Sequence, residues 1–149
     1  MGYDLYREGS PTETVGTIPA EHTGGLTINV VTALVEDDYF RIGAFGMPDV
    51  REELINVGFM HDAIIRVWPE EPDQVRELIE GVFPYLDEHP GVPFYKLSSN
   101  DGWWVRREEI EAGLKNADER NVAWRSELSE RVLEFVVWME GSANGFRVH

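Results

Sequence analysis

Residues 72–91, PDQVRELIEGVFPYLDEHPG, are the most regular stretch of the chain, and the fold can be built outward from them. Apolar side chains recur there at i, i+3, i+4, i+7, i+8 and i+11, which places them on one face of an amphipathic helix. These side chains are Val75, Leu78, Ile79, Val82, Phe83 and Leu86. Pro72 and Asp73 are typical of a helix start, and HPG at 89–91 is typical of a helix end. Pro84 lies inside the pattern and predicts a kinked or frayed last turn.

The segment after this helix predicts a β-hairpin followed by two more helices. FYKLS at 94–98 and WWV at 103–105 resemble short strands, and SNDG between them supplies residues that tolerate the positive φ of a tight turn. One helix is predicted over 106–115, and a longer one follows with a buried apolar stripe. This stripe comprises Trp124, Leu128, Val132, Phe135, Val136 and Met139. FRV at 146–148 then predicts an edge strand.

Strands dominate the prediction for the first part of the chain. YDLYRE at 3–8 and TETVGTI at 12–18 predict a hairpin across the GSP turn between them. LTINVVTALV at 26–35 mixes strand and helix spacing, and its β-branched first half favours a strand. YFRIGAF at 39–45 predicts a strand that pairs back onto it across the acidic turn at 36–38.

The remaining elements complete a mixed architecture. A helix is predicted between Pro48 and Gly58, and AIIRVW at 63–68 could form a short strand. Strands, helices, a hairpin and further helices follow one another without regular βαβ alternation. We therefore predict an α+β fold, with a mostly antiparallel sheet with hairpins packed against about four helices. At 149 residues, the chain is expected to form a single domain, 1–149.

The net charge excludes several classes of partner. Twenty-eight acidic and 13 basic residues give a charge of −15, and the first 75 residues hold 14 of the acids but only 4 of the bases. The chain has only two lysines, Lys96 and Lys115, so neither direct nucleic-acid binding nor binding to an anionic membrane is expected. Cysteine is absent, which excludes disulfides, zinc–thiolate sites and cysteine nucleophiles. No targeting or membrane-spanning segment is visible, so a cytoplasmic location is predicted.

No catalytic or metal-binding motif stands out. The four histidines, His22, His61, His89 and His149, lack ligand spacing, and each is interpreted as structural. Acidic pairs lie at turns or helix starts, where the helix dipole explains residues such as Glu108 and Glu109. Phosphate-binding glycine loops and the G-x-S-x-G elbow are both absent. We therefore predict no cofactor and no metal, and the absence of these motifs favours a non-enzymatic role over an enzymatic one without deciding between them.

Tryptophans are the most informative side chains. Trp103 and Trp104 are adjacent in a predicted strand, so they point to opposite faces, and one of them can lie in the core. The other must be covered, lie at the surface or join an interface. Trp124 and Trp138 are fourteen residues apart and share a helix face, which favours a core or dimer position over a ligand cage.

Three short blocks carry a family resemblance. They are YFR at 39–41 with FGM at 45–47, KLSSNDGW at 96–103, and the closing GFRVH at 145–149. In this order they resemble a family of small, acidic, uncharacterised proteins of actinobacteria and their phages. Because the family is uncharacterised, the resemblance points to no particular activity and assigns no functional residue in this chain.

The favoured hypothesis is a non-enzymatic acidic module, such as a regulator, an immunity-type protein or a phage inhibitor, that docks on a partner protein. A basic partner fits the charge. The candidate partner-binding residues are Trp103, Trp104, Asn100, Asp101, Glu36, Asp37 and Asp38. One alternative is a small-molecule-binding domain or small enzyme with a pocket near 98–104 and His61 among its polar groups. Another is a structural component that self-assembles as a homo-oligomer.

Overall fold

The computed structural model of the chain describes residues 2–9, 12–18, 28–34 and 38–149. These residues form eight strands: β1 (Gly2–Arg7), β2 (Thr12–Ile18), β3 (Ile28–Leu34), β4 (Tyr39–Gly43), β5 (Met60–His61), β6 (Val92–Pro93), β7 (Trp103–Val105) and β8 (Phe146–Val148). Their α-helices are α1 (Met47–Asn56), α2 (Pro72–Glu80), α3 (Arg107–Arg120) and α4 (Glu130–Glu140). Short 3-10 helices cover Phe94–Leu97 and Trp124–Glu127. The predicted α+β class is confirmed.

A four-stranded antiparallel sheet with the order β4-β1-β8-β7 is the centre of the fold. Leu5 of β1 lies opposite Phe40 on one side and Val148 on the other, and all three side chains are buried. The last strand was predicted at an edge, and this was wrong, because β8 lies between β1 and β7. Its two apolar side chains, Phe146 and Val148, both face the core, and a central position covers them from both sides.

The predicted strand pairing in the first part of the chain was also wrong. β1 pairs with β4 and β8, while β2 pairs with β3 as a separate two-stranded sheet. Side-chain burial explains why β1 pairs with β4. Leu5, Phe40 and Ile42 all project to the same face of the sheet and enter the core together. Loop-closure entropy grows slowly with length, so the long connection between β1 and β4 costs little extra.

The predicted hairpin at 94–105 is absent. Residues Phe94–Leu97 form a 3-10 helix, which is closed by bonds from the Ser98 amide to Tyr95 and from the Ser98 hydroxyl to Phe94. β7 pairs instead with β8, with Trp103 opposite Val148. The helical turn directs Lys96 into the interior, where its ammonium group finds three acceptors.

The helices follow the predictions with three adjustments. α2 begins at Pro72 as expected but ends at Glu80. A bend and irregular backbone follow at 81–83, and turns begin at Pro84. α3 continues to Arg120, because Ala117 is buried and extends its apolar face. The last predicted helix is divided into the 3-10 helix at 124–127 and α4. Trp124 and Trp138 both lie in the core despite that division.

Side chains from the sheet and all helices but α2 form the main hydrophobic core cluster, to which Leu78 and Ile79 of α2 add at its margin. The possible strand at 63–68 does not form, and only Ile65 of that segment is fully buried. None of the helices in the described parts of the chain combines the length and apolar composition needed to cross a membrane.

Candidate functional site

The residues predicted around 98–104 are divided between the core and the surface. Trp103 is 8% exposed and donates its indole N–H to the Ser99 hydroxyl at 2.9 Å, so its side chain belongs to the core. Trp104 projects to the other face of the sheet, where it is half-buried and donates to the carbonyl of Asn144 at 2.9 Å. Asn100 and Asp101 are exposed, and the Asn100 amide donates to the carbonyl of Gly2 at 3.1 Å.

Two guanidinium groups occupy the surroundings of Trp104. The Arg106 and Arg147 guanidinium carbons lie 3.9 and 4.5 Å from its ring centroid. Arg147 also forms ion pairs with Glu8 at 2.9 Å and Glu80 at 2.6 Å. These contacts give Trp104 and its arginines partners within the chain.

The predicted acidic turn is described only in part. Glu36 and Asp37 lie outside the described residues, so their prediction is not tested. Asp38 lies 3.6 Å from the guanidinium of Arg7, and both side chains are about one-fifth exposed. Asp38 is therefore partly engaged by a neighbouring charge.

A buried ion pair between Lys96 and Glu109 is the most polar feature of the interior, and sequence reasoning missed it. The Lys96 ammonium donates to Glu109 at 2.8 Å and to the carbonyls of Gly81 and Trp104, both at 2.7 Å. The Glu109 carboxylate also accepts from the amides of Phe83 at 3.0 Å and Arg106 at 2.8 Å. One signal was available, since Lys96 is one of only two lysines and lies in an apolar segment.

This ion pair has a structural role. Burial lowers the pKa of Lys96 and raises the pKa of Glu109, while the attraction between the two groups opposes both changes. All three donors of the ammonium and both carboxylate oxygens have partners, and neither side chain reaches the surface. The pair therefore joins the end of α2, β7 and the start of α3, and it leaves no free group for catalysis.

His61 and His89 are brought together although no spacing connects them in the sequence. Their ring centroids lie 5.8 Å apart, and the His61 ring packs on Phe83 at 4.8 Å. The Nδ1 atom of His61 accepts a hydrogen bond from the amide of Ala63 at 3.2 Å, which requires this nitrogen to be unprotonated. Burial, with a further contribution from His89, lowers the pKa of His61 to about 4. Across the described ranges, no group of three His, Asp or Glu side chains could hold a metal ion.

The segment after His61 and the following helix form what we call the acidic–apolar surface. Its apolar members are Ile64, Val67, Trp68 and Val75, four of the seven large apolar side chains exposed in the described part of the chain. Its acidic members are Asp62, Glu70, Glu71, Asp73 and Glu77. All five acidic side chains are exposed, and none forms an ion pair with another described residue.

Internal contacts hold the two parts of this surface in the same region. Trp68 packs edge-on against Tyr95 at 5.7 Å, and Tyr95 packs edge-on against Trp103 of β7 at 5.0 Å. α2 packs against the same strand. Trp68 and Pro72 are four positions apart in the chain, so these two residues are at most about 14 Å apart. Trp68 and α2 therefore both lie beside β7.

The side chain of Arg66 holds the irregular segment between β5 and α2 in place. Its guanidinium forms an ion pair with Glu88 and lies 4.0 Å from the ring centroid of Tyr85. Together with the buried Ile65, these contacts fix the backbone at a point between the exposed Ile64 and Val67. The backbone held in this way leaves the neighbouring side chains of Ile64 and Val67 exposed.

Comparison with known proteins adds no family to this geometry: no family model, curated protein or solved structure matches the chain. The family resemblance of the three sequence blocks stays a prediction.

Proposed function

We propose that this protein is a non-enzymatic binding module that docks on a basic partner protein through the acidic–apolar surface. The observation that carries the proposal is the clustering of exposed apolar side chains, among them a half-exposed tryptophan, with five carboxylates that have no ion-pair partner among the described residues. Contiguous apolar patches with a polar rim are typical of interaction sites.

The apolar part of the surface favours coverage by another molecule. Trp68 is 50% exposed and Val67 is 81% exposed. Covering the exposed half of an indole ring removes on the order of 120 Å² from water, which is worth about 3 kcal/mol. Tryptophan is also enriched among the residues that dominate binding energies. Trp68 is therefore the expected anchor of the interface.

α2 contributes an apolar face that the fold covers incompletely. It is strongly amphipathic, yet none of its residues is fully buried. Val75 is exposed, and Leu78 and Ile79 are half-buried at the margin of the core. Their i, i+3, i+4 spacing matches the stripe that a helix presents to a partner helix.

The charge of the surface selects the partner. Residues 62–80 contain six acids and two bases, and one of these bases, Arg66, is paired with Glu88. An apolar stripe in an acidic rim is complementary to an amphipathic helix with basic flanks, and the electrostatic part of the binding should weaken with salt. We therefore assign a basic amphipathic helix of the partner protein as the occupant.

A defined peptide tests this proposal. The probe is a labelled synthetic helix of about 18 residues with leucines at i, i+3, i+4 and i+7 and lysines elsewhere. A peptide of the same composition in scrambled order controls for charge alone. Binding is measured by fluorescence anisotropy at low and high salt, with the expectation that the amphipathic peptide binds at least about tenfold more tightly than the scrambled one.

Matched variants locate the site. Glu70→Lys with Glu71→Lys reverses two charges of the surface, and Glu119→Lys with Glu127→Lys makes the same change in net charge at exposed positions elsewhere. We expect the first pair, and Trp68→Ala, to weaken peptide binding at least about tenfold, while the second pair changes it less than about threefold. Equal losses in both pairs, or equal binding of both peptides, would contradict the proposal.

A further inference from the structure

The outer edge of β4 presents backbone groups that do not bond within the sheet. Asp4 of β1 exchanges both of its backbone hydrogen bonds with His149, at 2.6 and 2.8 Å, so its N–H and C=O face away from β4. Asp4 lies opposite Arg41 in the β1–β4 register, and this is therefore a non-hydrogen-bonded pair. The N–H and C=O of Arg41 consequently point out of the sheet edge, as do those of Tyr39 and Gly43 two residues to either side.

Two carbonyls of this edge, those of Arg41 and Gly43, have partners among the described residues. The Arg131 guanidinium donates to the carbonyl of Arg41 at 2.6 Å, and the Gly46 amide donates to the carbonyl of Gly43 at 3.0 Å. No described residue accepts from the amides of Tyr39, Arg41 or Gly43. An edge of this kind is a template for another strand, and a side chain placed over it, as Arg131 is, is a common way to limit unwanted pairing.

An open groove follows this edge. It consists of two cavities of about 780 and 640 Å³, which share Arg41 and Arg131 in their walls. The first continues past Gly43 to α1, and the second continues past Tyr39 to α4. The cavities line β4 along its five residues, Tyr39–Gly43, which corresponds to about 17 Å of extended chain.

Unpaired acidic side chains lie at one end of the groove. The Gly43 end is lined by acidic residues of α1, Asp49, Glu52 and Glu53. Glu53 is engaged by the amide and hydroxyl of Ser129, but Asp49 and Glu52 are exposed and form no ion pair within the described part of the chain.

The charges at the Tyr39 end are balanced within the chain. Arg7, Arg41 and Arg131 line this end, and they form ion pairs with Asp38, Asp4 and Glu134. A strand antiparallel to β4 starts beside Gly43 and finishes beside Tyr39. It is therefore complementary to the groove when its N-terminal end is basic.

We propose that the outer edge of β4 binds an extended peptide segment of another protein, which adds to the sheet as an antiparallel fifth strand with its basic N-terminal end beside Asp49 and Glu52. Self-association through the same edge is disfavoured, because symmetric pairing places two Arg41 residues opposite each other and joins chains of net charge −15. The inference rests on β4, α1 and α4 and is independent of the acidic–apolar surface. Either proposal can fail without the other.

Synthetic peptides test the inference without changing the protein. The probes are Lys-Lys-Val-Thr-Val-Glu-Glu with blocked ends and the charge-reversed Glu-Glu-Val-Thr-Val-Lys-Lys. The readout is amide hydrogen exchange at Tyr39, Arg41 and Gly43, followed by NMR. We expect the first peptide to slow exchange at these three amides and to bind at least about fivefold more tightly than the reversed peptide.

N-methylated peptides separate strand addition from other modes of binding. One version carries methyl groups on alternate backbone nitrogens, and a second version carries them on the others. Strand addition predicts that one version binds and the other does not, because only one set of N–H groups faces β4. Equal binding of both versions, or no protection of the three amides at about 2 mM peptide, would overturn the inference.

A charge variant tests the assigned direction. Asp49→Lys with Glu52→Lys makes the Gly43 end of the groove basic, and it should remove or invert the preference between the two peptides. An unchanged preference in a folded variant contradicts the assigned orientation. Val122→Ser, at an exposed position remote from the groove lining, serves as the control and should leave the preference unchanged.

Discussion

Replacing Lys96 by methionine removes the positive member of the buried ion pair while keeping a similar side-chain volume. The Glu109 carboxylate then loses its counter-ion, and the carbonyls of Gly81 and Trp104 each lose a donor. Both members of the pair are fully buried. Breaking a buried pair from one side typically costs roughly 3–5 kcal/mol, a large part of the roughly 5–15 kcal/mol that stabilises a domain. We expect Lys96→Met to lower the free energy of unfolding by this amount in urea titrations followed by tryptophan fluorescence.

The pH dependence of the stability of Lys96→Met tests whether the unpaired Glu109 carboxylate causes the loss. Without Lys96, burial raises the pKa of Glu109 above its value in the unfolded chain. The variant is therefore least destabilised at acidic pH, where Glu109 is protonated in both states, and it loses stability as the pH rises through the raised pKa. Adding Glu109→Gln to the variant should recover part of the loss and remove this pH dependence. A loss below about 1 kcal/mol, or one that does not change with pH, would refute the reasoning.

Three further predictions concern His61, Trp68 and Gly145. The pKa of His61 is lowered from 6.5 to about 4, so the unfolded chain binds a proton in this range that the folded chain does not. Stability should therefore fall by about 2 kcal/mol, discounted for partial exposure, as the pH drops from 6.5 to 4, and His61→Leu should reduce this fall in denaturant titrations. Trp68→Ala should cost less than about 1 kcal/mol, whereas Trp124→Ala in the core should cost about 4 kcal/mol, and comparable losses would contradict the assigned exposure. Gly145 has φ +74°, and a Cβ there would overlap the carbonyl oxygen of Val105, so Gly145→Ala should lower the melting temperature markedly. Gly43→Ala, with no atom near the added Cβ, should change it little.

Local elements of the fold could be predicted because their signals are local. The start of α2 follows from a proline and an aspartate before an apolar repeat, and α1 was placed by Pro48 in the same way. Strand pairing could not be predicted in this manner. β1 selects β4 and β8 over the adjacent β2 because the buried side chains of distant strands share one face, and sequence proximity does not report that.

In the candidate site, too, local features could be predicted from the sequence and long-range contacts could not. The buried position of Trp103 and the outward position of Trp104 follow from strand alternation, which the sequence displays. The Lys96–Glu109 pair depends on a 3-10 helix where a strand was predicted, so the convergence of the two charges was invisible. Exposure of Trp68 depends on where Ile65 and Arg66 anchor an irregular segment, and no periodic pattern encodes that.

The most direct test of the proposed function follows the five tryptophan indole N–H signals by NMR while the basic amphipathic peptide is added. Trp124 and Trp104 donate their indole N–H groups within the chain, to Asp118 and Asn144, and serve as internal references. The docking account predicts a saturable shift of the Trp68 signal and little change in the other two. A shift of the Trp104 signal without a shift of the Trp68 signal would contradict the account and would place the binding site at residues 98–104.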